Sequence, residues 1–406
     1  MTLNRRKFMA TTAALVAATT LPSMSFAADT IKLGSVLDTS GVFDAYGKPM
    51  DMAMRLAVDE INAAGGLNGQ IVEVIAYDTQ SDMALYSQYA QQLTREDKVD
   101  VVHGGILSAS REAIRQTMRK TKTPYFYNVL YEGGVCDRNI FINGVTPAQQ
   151  VEALVPYAME KSGKKVYILA ADYNYGQITA KWIEKYVTEN GGEIVGLDFF
   201  PLDVSDFGST IAKIQTAGPD LVIAPLVGGA HLSFFRQWAA AGMKDKIPLA
   251  STTLGVGNEH KVLTAAEGDG IMVAYNYSQE LDTPANAAFK KKWAAAYGDN
   301  DNYHEIAMSN YQGVMMWAEA VRKAGSTNRE DVIAALETGL SIEGPSGKIT
   351  VDPKTHHATL DVHIMEFDGQ RMKVMKTLPQ RAPIDTQAVC DLLANPDDNT
   401  QYEIDF

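Results

Sequence analysis

The order of short β-branched runs and longer helical stretches is the feature that most restricts how this chain can fold. The pattern predicts strands at 31–37, 71–77 and 99–104, separated by helices at 46–64 and 86–97. Strands that alternate with helices along the chain form parallel sheets with helices on both faces. The first hundred residues therefore predict one α/β unit.

A second series with the same order begins at Lys164 and predicts another unit of similar build. Both series contain a helix that ends at a double glycine, Gly65–Gly66 in the first and Gly191–Gly192 in the second. The fold class predicted is α/β, with two doubly wound parallel-sheet lobes joined by a crossover hinge. The elements predicted for the second series and the rest of the chain are strands at 166–170, 194–198, 221–225 and 272–276, helices at 176–189, 207–217 and 311–324, and antiparallel hairpins from Gly344 onward.

Composition and net charge limit the number of domains and the kinds of molecule that the chain could bind. The chain has 406 residues with 46% in the hydrophobic set, which suits two or three folded domains. Its formal net charge is -13, and no basic patch with interleaved aromatic residues occurs, so we expect no nucleic-acid partner.

The first 27 residues are predicted to be a secretory signal peptide. Arg5, Arg6 and Lys7 precede an apolar stretch from Phe8 to about Leu21, and small residues follow it up to Ala27. The paired arginines resemble a twin-arginine signal, and both that route and the general export pathway stay open. We expect a soluble periplasmic protein.

Cys136 and Cys390 are the only cysteines. An oxidising compartment would allow them to form a disulfide, but two separate buried thiols are an open alternative. Two cysteines exclude a four-cysteine metal site.

Catalytic and cofactor motifs are absent, so we expect no enzyme, no cofactor and no metal. Ser108 is not in a Gly-x-Ser-x-Gly elbow and has no evident base. His356, His357 and His363 are expected to be solvated at hairpin edges instead of binding a metal.

The ends of predicted parallel strands suggest a ligand cleft, because ligands bind beyond the carboxyl ends of such strands. Ser108 follows the strand at 99–104 and precedes a helix predicted to start near Ser110, where free amides and a hydroxyl can hold an oxygen atom. Helix capping by Ser108 or Ser110 is the simpler alternative. Tyr127 and Tyr175 follow strands of the two lobes and could stack on a planar ligand, with packing as the alternative.

Particular motifs make the chain resemble the type I periplasmic solute-binding proteins of ABC importers, the leucine/isoleucine/valine-binding family. The resemblance spans nearly the whole chain after the signal segment. The motifs that carry the family resemblance are 31–34 with Ser40–Gly41, 57–69 and the serine loop at Ser108. A further resemblance, to the urea and short-chain-amide branch, rests on 108–111, 131–133, 139–141, Pro147 with Gln149, and 172–175.

The resemblance implies two lobes that close on a ligand and then dock onto ABC permease subunits, and we expect a monomer. The implied lobes are 28–147 with 276–343, and 148–275 with 344–406. The residues implied or predicted to bind the ligand are Ser108, Leu107, Tyr127, Val129, Tyr131, Tyr175, Gly228 and Thr253.

Amino-acid binders of this family place a carboxylate on the ligand's ammonium from the loop that here reads Ser251–Leu254, which contains no acid. An unpaired ammonium in a dry cleft would cost several kcal/mol, so urea or a short-chain amide is the favoured ligand. A branched-chain or aliphatic amino acid is the alternative, and it requires an acid from elsewhere, such as Glu259. An amidase-regulating sensor and an exported hydrolase are further alternatives, and the signal peptide disfavours the sensor.

Overall fold

The computed structural model describes residues 30–403, and the predicted signal peptide lies outside them. A parallel five-stranded sheet forms the centre of the first lobe. Its strands are β1 (Ile31–Leu37), β2 (Val72–Asp78), β3 (Val101–Gly104), β4 (Tyr125–Tyr127) and β5 (Ile140–Ile142). They lie in the order β2-β1-β3-β4-β5, so β1 and β3 are neighbours, with β2 on one side of the pair and β4 and β5 on the other.

The second lobe contains a nine-stranded mixed sheet. Its strands are β6 (Lys165–Ala171), β7 (Glu193–Phe200), β8 (Leu221–Ile223), β9 (Leu249–Ala250), β10 (Met272–Tyr275), β11 (Ser341–Gly344), β12 (Gly347–Val351), β13 (Ala358–Asp368) and β14 (Arg371–Arg381). The order is β7-β6-β8-β9-β10-β13-β12-β11, and β14 pairs with β13. β6 to β10 are parallel, whereas β11 to β14 pair antiparallel, as the alternation after Gly344 predicts.

Twelve α-helices surround the two sheets within residues 30–403. They are α1 (Asp44–Ala63), α2 (Met83–Gln92), α3 (Ser108–Thr121), α4 (Pro147–Ser162), α5 (Asn174–Glu189), α6 (Gly208–Ala217), α7 (Gly229–Ala240), α8 (Ala265–Gly268), α9 (Pro284–Tyr297), α10 (Glu305–Ala324), α11 (Arg329–Leu336) and α12 (Ile384–Gln387). None of the helices in this part of the chain is long and apolar enough to cross a bilayer.

The chain crosses between the lobes more than once. It leaves the first sheet after β5, and α4 then packs against β8, β10 and β13 of the second sheet. After β10 it returns with α9 to α11, of which α10 packs against α1 and β3. It enters the second sheet again at β11. Each lobe is therefore built from separate parts of the sequence.

Helix α1 illustrates how the sequence pattern determines the packing. Met50, Met54, Ala57 and Ile61 recur at helical spacing and are buried against the sheet. The helix ends at the double glycine, where the amide of Gly66 donates to the carbonyl of Ile61 at 2.9 Å.

Several helix boundaries differ from the predicted ones, and α1 and α5 each begin two residues earlier than predicted. The stretch predicted as one helix over 86–97 is α2 followed by a π-helical turn, Leu93–Asp97. α3 begins at Ser108, two residues earlier than predicted. α10 begins at Glu305, before the predicted 311, because the His304 side chain accepts a hydrogen bond from the amide of Ala307 and caps the helix.

Candidate functional site

A small cavity of about 40 Å³ lies between the two lobes, at the carboxyl ends of their parallel strands. The first lobe contributes residues from α1, from the loops after β3 and β4, and from α10; the second contributes residues from the loops after β6, β8 and β9. Its wall consists of Tyr46, Ile106, Leu107, Ser108, Tyr127, Val129, Leu130, Tyr173, Tyr175, Val227, Thr253, Val256 and Ile306. Only Ser108 and Thr253 are neither aliphatic nor aromatic, so the wall is mainly apolar.

Six of the eight predicted ligand residues line this cavity: Leu107, Ser108, Tyr127, Val129, Tyr175 and Thr253. The other two do not. The ring of Tyr131 lies 4.6 Å from the guanidinium of Arg111, and its hydroxyl bonds His357. Gly228 precedes α7 and faces Phe43, to which a Cβ at that position would approach within 3.3 Å.

The eight predicted residues do not include seven residues of the wall, namely Tyr46, Ile106, Leu130, Tyr173, Val227, Val256 and Ile306. Val227 is next to Gly228, which was predicted to bind the ligand. The prediction therefore identified the correct loop but the wrong residue. Tyr46 and Ile306 come from helices whose ends meet only in the folded lobe, and no local pattern marks them.

The hydroxyl groups of three cavity tyrosines are used inside the protein. Tyr127 donates to the carbonyl of Ile106 at 2.7 Å, Tyr175 bonds Thr252 Oγ1 at 2.9 Å, and Tyr46 donates to Glu259. Burial raises the pKa of each of these hydroxyl groups, so they stay protonated. The rings are therefore fixed in place as apolar walls for a flat ligand.

Ser108 belongs to a buried network around Glu132. Its hydroxyl donates to Glu132 Oε2 at 2.5 Å, and Arg111 Nη2 donates to Glu132 Oε1 at 2.8 Å. Arg111 and Glu132 side chains are both 0% exposed. The helix-capping alternative is wrong for both serines, because no side chain of the described residues caps α3; Ser110 Oγ accepts from the amide of Ile106, before the helix, at 3.0 Å and donates to the carbonyl of Leu107.

Two loops of the first lobe bring unused amides to the cavity. Among the described residues, the backbone N–H groups of Ser108 and Ala109, at the start of α3, make no hydrogen bond, and neither do those of Val129 and Leu130. Ser108, Val129 and Leu130 line the cavity, and free N–H donors beside an apolar wall can hold an oxygen atom of a carbonyl or carboxylate group.

The turn from β3 into α3 depends on Gly105. Its φ is +80°, and a Cβ at this position would lie 2.8 Å from the hydroxyl of Tyr125. Glycine is the residue that adopts this conformation at no steric cost, and it directs the start of α3 toward the cavity.

The loop of the second lobe at Ser251–Leu254 has no charge, and its polar groups bond one another. Ser251 Oγ donates to the carbonyl of Ala224 at 2.9 Å, and Thr253 Oγ1 donates to that of Leu226. Nε2 of His231 lies 2.7 Å from Thr253 Oγ1, and burial lowers the pKa of His231 to about 3, so that ring is neutral.

Glu259 is buried behind the cavity and fully engaged. One of its oxygens accepts from the amides of Gly255 and Gly257 at 2.9 and 3.0 Å, and the other accepts from Tyr46 of the first lobe. Burial raises the pKa of this carboxyl group. Both oxygens therefore have partners without a ligand.

The prediction of solvated histidines is wrong, because His356, His357 and His363 are all buried. The ring of His356 stacks on Phe141 with centroids 4.4 Å apart, and His363 bonds Thr377 at 2.9 Å. Burial lowers the pKa of all three. Residues 30–403 contain no group of three or more His, Cys, Asp or Glu side chains that could hold a metal ion.

Cys136 and Cys390 form a disulfide, which decides between the two alternatives. Residues 390–402, called here the C-terminal strap, then run along the loop that follows Glu132. The amide of Cys136 donates to the carbonyl of Thr400, and the amide of Tyr402 donates to that of Gly134, both at 2.8 Å. Gln401 also accepts from Arg111 at 2.9 Å, so the strap covers the back of the Ser108 network.

Comparisons with known proteins agree with this fold. Residues 30–371 match the model of the periplasmic binding protein family. The Leu/Ile/Val-binding protein homolog 6 of Brucella melitensis is 23% identical over 348 residues, which cover 84% of this chain and 88% of the relative.

Solved structures share the fold over nearly their whole length. A solute-binding protein of an ABC transporter from R. palustris, in complex with 4-hydroxybenzoate, has a TM-score of 0.80 at 24% identity and covers 87% of this chain and 98% of its own. The branched-chain amino acid transporter substrate-binding protein of Streptococcus pneumoniae, in complex with isoleucine, has a TM-score of 0.77 at 24% identity, covering 86% and 100%.

The two-lobed fold with a cavity between the lobes, together with the family match over residues 30–371, defines the class of the chain as a solute-binding protein. The chain belongs to the periplasmic binding protein family, the type I solute-binding proteins of ABC importers. Membership of this family implies a periplasmic location.

Proposed function

We propose that the chain captures a small solute with a planar carbonyl or carboxyl head, an apolar body and no ammonium group, and delivers it to the permease subunits of an ABC importer. Amides and aromatic acids share this chemistry. The observation that carries the proposal is the pairing of four unused amides, at Ser108, Ala109, Val129 and Leu130, with a second-lobe loop that offers no free carboxylate.

The amides would hold the oxygen of the head, and the tyrosine rings would enclose the body. A site with N–H donors at one end and an apolar wall elsewhere stabilises an acceptor oxygen and excludes water around it. Urea or a short-chain amide, the ligand favoured by the sequence, fits the donors. The mainly apolar wall favours a member of this class that has more apolar surface than urea itself.

The names of similar proteins agree with this class without defining the ligand. The R. palustris protein is described in complex with 4-hydroxybenzoate, and another solute-binding protein of that organism with benzoate. Both compounds combine a carboxyl group with a flat apolar ring.

An amino acid is the second candidate, because several relatives are named Leu/Ile/Val-binding proteins. Its ammonium would require a carboxylate at the cavity. Glu259, the acid suggested for this role, already accepts hydrogen bonds on both oxygens. Binding an ammonium there would break the contact of Glu259 with Tyr46, which opposes this candidate.

We also propose that the predicted lobes, 28–147 with 276–343 and 148–275 with 344–406, close on the ligand about the crossover segments. The ligand would shift the equilibrium toward the closed form through contacts that exist only when both lobes surround it. Ser108, Leu107, Tyr127 and Val129 would act from the first lobe. Tyr175 and Thr253 would act from the second.

The test is a ligand panel measured by thermal shift and calorimetry. Urea, acetamide, benzamide, benzoate, 4-hydroxybenzoate and leucine would be added to the mature protein, since a ligand that binds only the folded state raises the melting temperature. We expect an amide or an aromatic acid to raise it, and Ser108→Ala to reduce the effect. Ser209→Ala, an exposed serine in the first turn of α6, is the matched control. A shift confined to leucine would contradict the proposal.

A further inference from the structure

Glu305 is a buried acid that no contact inside the protein explains. Its side chain is 0% exposed, and among the described residues neither Oε1 nor Oε2 has a hydrogen-bond partner. A buried carboxyl group without partners destabilises the folded protein, so it is usually paired or occupied by a ligand.

The position of Glu305 places this group beside the cavity. It is the first residue of α10, and the next residue, Ile306, lines the cavity wall. Its charge acts on two tyrosines of the second lobe, Tyr175, which also lines the cavity, and Tyr275, which follows β9 and ends β10. The carboxyl group therefore lies near the cavity where α10 faces the second lobe.

Helix capping does not account for Glu305. The amide of Ala307, which an acid in the first turn often approaches, already donates to Nδ1 of His304 at 3.2 Å, and the amide of Met308 donates to the carbonyl of His304 at 2.8 Å. His304 thus caps the helix, so the carboxyl group of Glu305 has no role as a helix cap. Burial raises the pKa of Glu305 to about 8, so near neutral pH it is largely protonated and uncharged.

We propose that Glu305 is a specificity-determining residue that binds the hydrogen-bond donor of the ligand, a hydroxyl or amide N–H group, at the side of the cavity where the neighbouring Ile306 of α10 forms the wall. This inference rests on the proposed function and narrows it. The preferred solute would carry an acceptor oxygen for the amides at Ser108 and Val129, and a donor group for Glu305.

A solute without the donor would leave the carboxyl group buried and unpaired, as it is in the empty protein. Sites built to bond a polar group reject the analogue that lacks it far more strongly than apolar pockets reject an extra methylene. The difference between two such solutes therefore measures the contribution of Glu305.

The experiment compares solutes that differ only in the donor. Calorimetry would give dissociation constants for 4-hydroxybenzoate and benzoate, and for benzamide, with the wild type, Glu305→Gln and Glu305→Leu. Glu319→Gln, a half-exposed acid on the same helix, is the matched control. We expect the wild type to prefer a donor-bearing compound by at least about tenfold and Glu305→Leu to lose that preference while binding benzoate within about twofold of the wild type.

Each outcome has a separate meaning. An unchanged preference in Glu305→Leu would overturn the role of Glu305 and leave the proposed function intact. Binding confined to leucine and lost in Glu305→Gln would overturn the proposed function and identify the ammonium as the donor. Failure of every compound to bind the wild type would refute both. Glu305→Leu removes an unpaired polar group, so the melting temperature of this variant without ligand should equal or exceed that of the wild type. This measurement shows whether the variant is folded.

Discussion

Asn174 of the second lobe donates a hydrogen bond to Glu132 of the first, with 3.2 Å between Nδ2 and Oε1. The other oxygen of the same carboxylate accepts from Ser108 at the cavity. The indole N–H of Trp182 in α5 also reaches the carbonyl of Glu132, at 3.2 Å. Glu132 thus connects a cavity residue to the contact between the lobes.

Replacing Asn174 by Ala is predicted to weaken ligand binding without removing any cavity residue. The hydrogen bond to a charged carboxylate, worth about 1.5–3 kcal/mol, joins the two lobes and would favour the closed form. We expect the dissociation constant of the ligand to rise about tenfold, as measured by calorimetry. Gln177→Ala, on the same helix and bonded only to Asp172, is the control. Equal affinities for the two variants would contradict a role in closure.

The disulfide is predicted to stabilise the folded protein by about 2–4 kcal/mol, because it restricts the unfolded chain over a separation of 254 residues. Urea unfolding of the wild type and of the Cys136→Ser/Cys390→Ser double variant would measure this difference. Hydrogen exchange should increase mainly at the amides of residue 136 and Tyr402, because these amides donate the hydrogen bonds that join the loop and the strap. Equal unfolding midpoints would show that the strap stays packed on the loop after Glu132 without the disulfide.

Glu305→Gln is predicted to change how stability depends on pH. Burial raises the pKa of Glu305 from 4.5 to about 8, so between these values the folded protein keeps a proton that the unfolded chain releases. The free energy of unfolding that this group contributes therefore falls as pH rises through this range, by up to about 1.4 kcal/mol per unit. Glu305→Gln has no titratable group at this position, so its free energy of unfolding does not fall with pH for this reason.

The measurement is urea unfolding of both proteins at pH 5, 6 and 7. The variant should gain stability relative to the wild type at each step upward. Other buried acids with raised pKa values, such as Glu259 and Asp385, are common to both proteins and cancel in the difference. A difference independent of pH would mean that Glu305 titrates normally.

Gly105→Ala is predicted to destabilise the protein by about 1–3 kcal/mol and to weaken ligand binding. A Cβ at this residue, whose φ is +80°, is strained and would meet the Tyr125 hydroxyl at 2.8 Å, so the start of α3 would move. Gly229→Ala is the control, because a Cβ there meets nothing within 4 Å. Thermal unfolding should separate the two variants clearly; similar melting temperatures would contradict the strain at Gly105.

Local periodicity predicts most of the fold. The two βαβ series and the antiparallel end follow from patterns that each extend over fewer than 20 residues, and loops at strand ends led to Ser108, Tyr127 and Tyr175. Tyr46 and Ile306 reach the cavity, with Glu305 next to Ile306, only because α1 and α10 pack together, and no pattern within either helix indicates this. The histidines at 356 and 357 were misread for the same reason: α11 and the loops after β4 and β5 cover the edge that carries them.

The strap has a consequence for the order in which the site can be assembled. Residues 390–402 leave the ribosome after both sheets have been synthesised, yet they pair with the loop at 133–136, which was made some 250 residues earlier. Until then, the guanidinium of Arg111 lacks its contact with Gln401, and the loop beside Glu132 lacks its partner. A chain without the strap should therefore retain both sheets but hold Ser108 loosely, so that the strap must be made before the site can capture the solute.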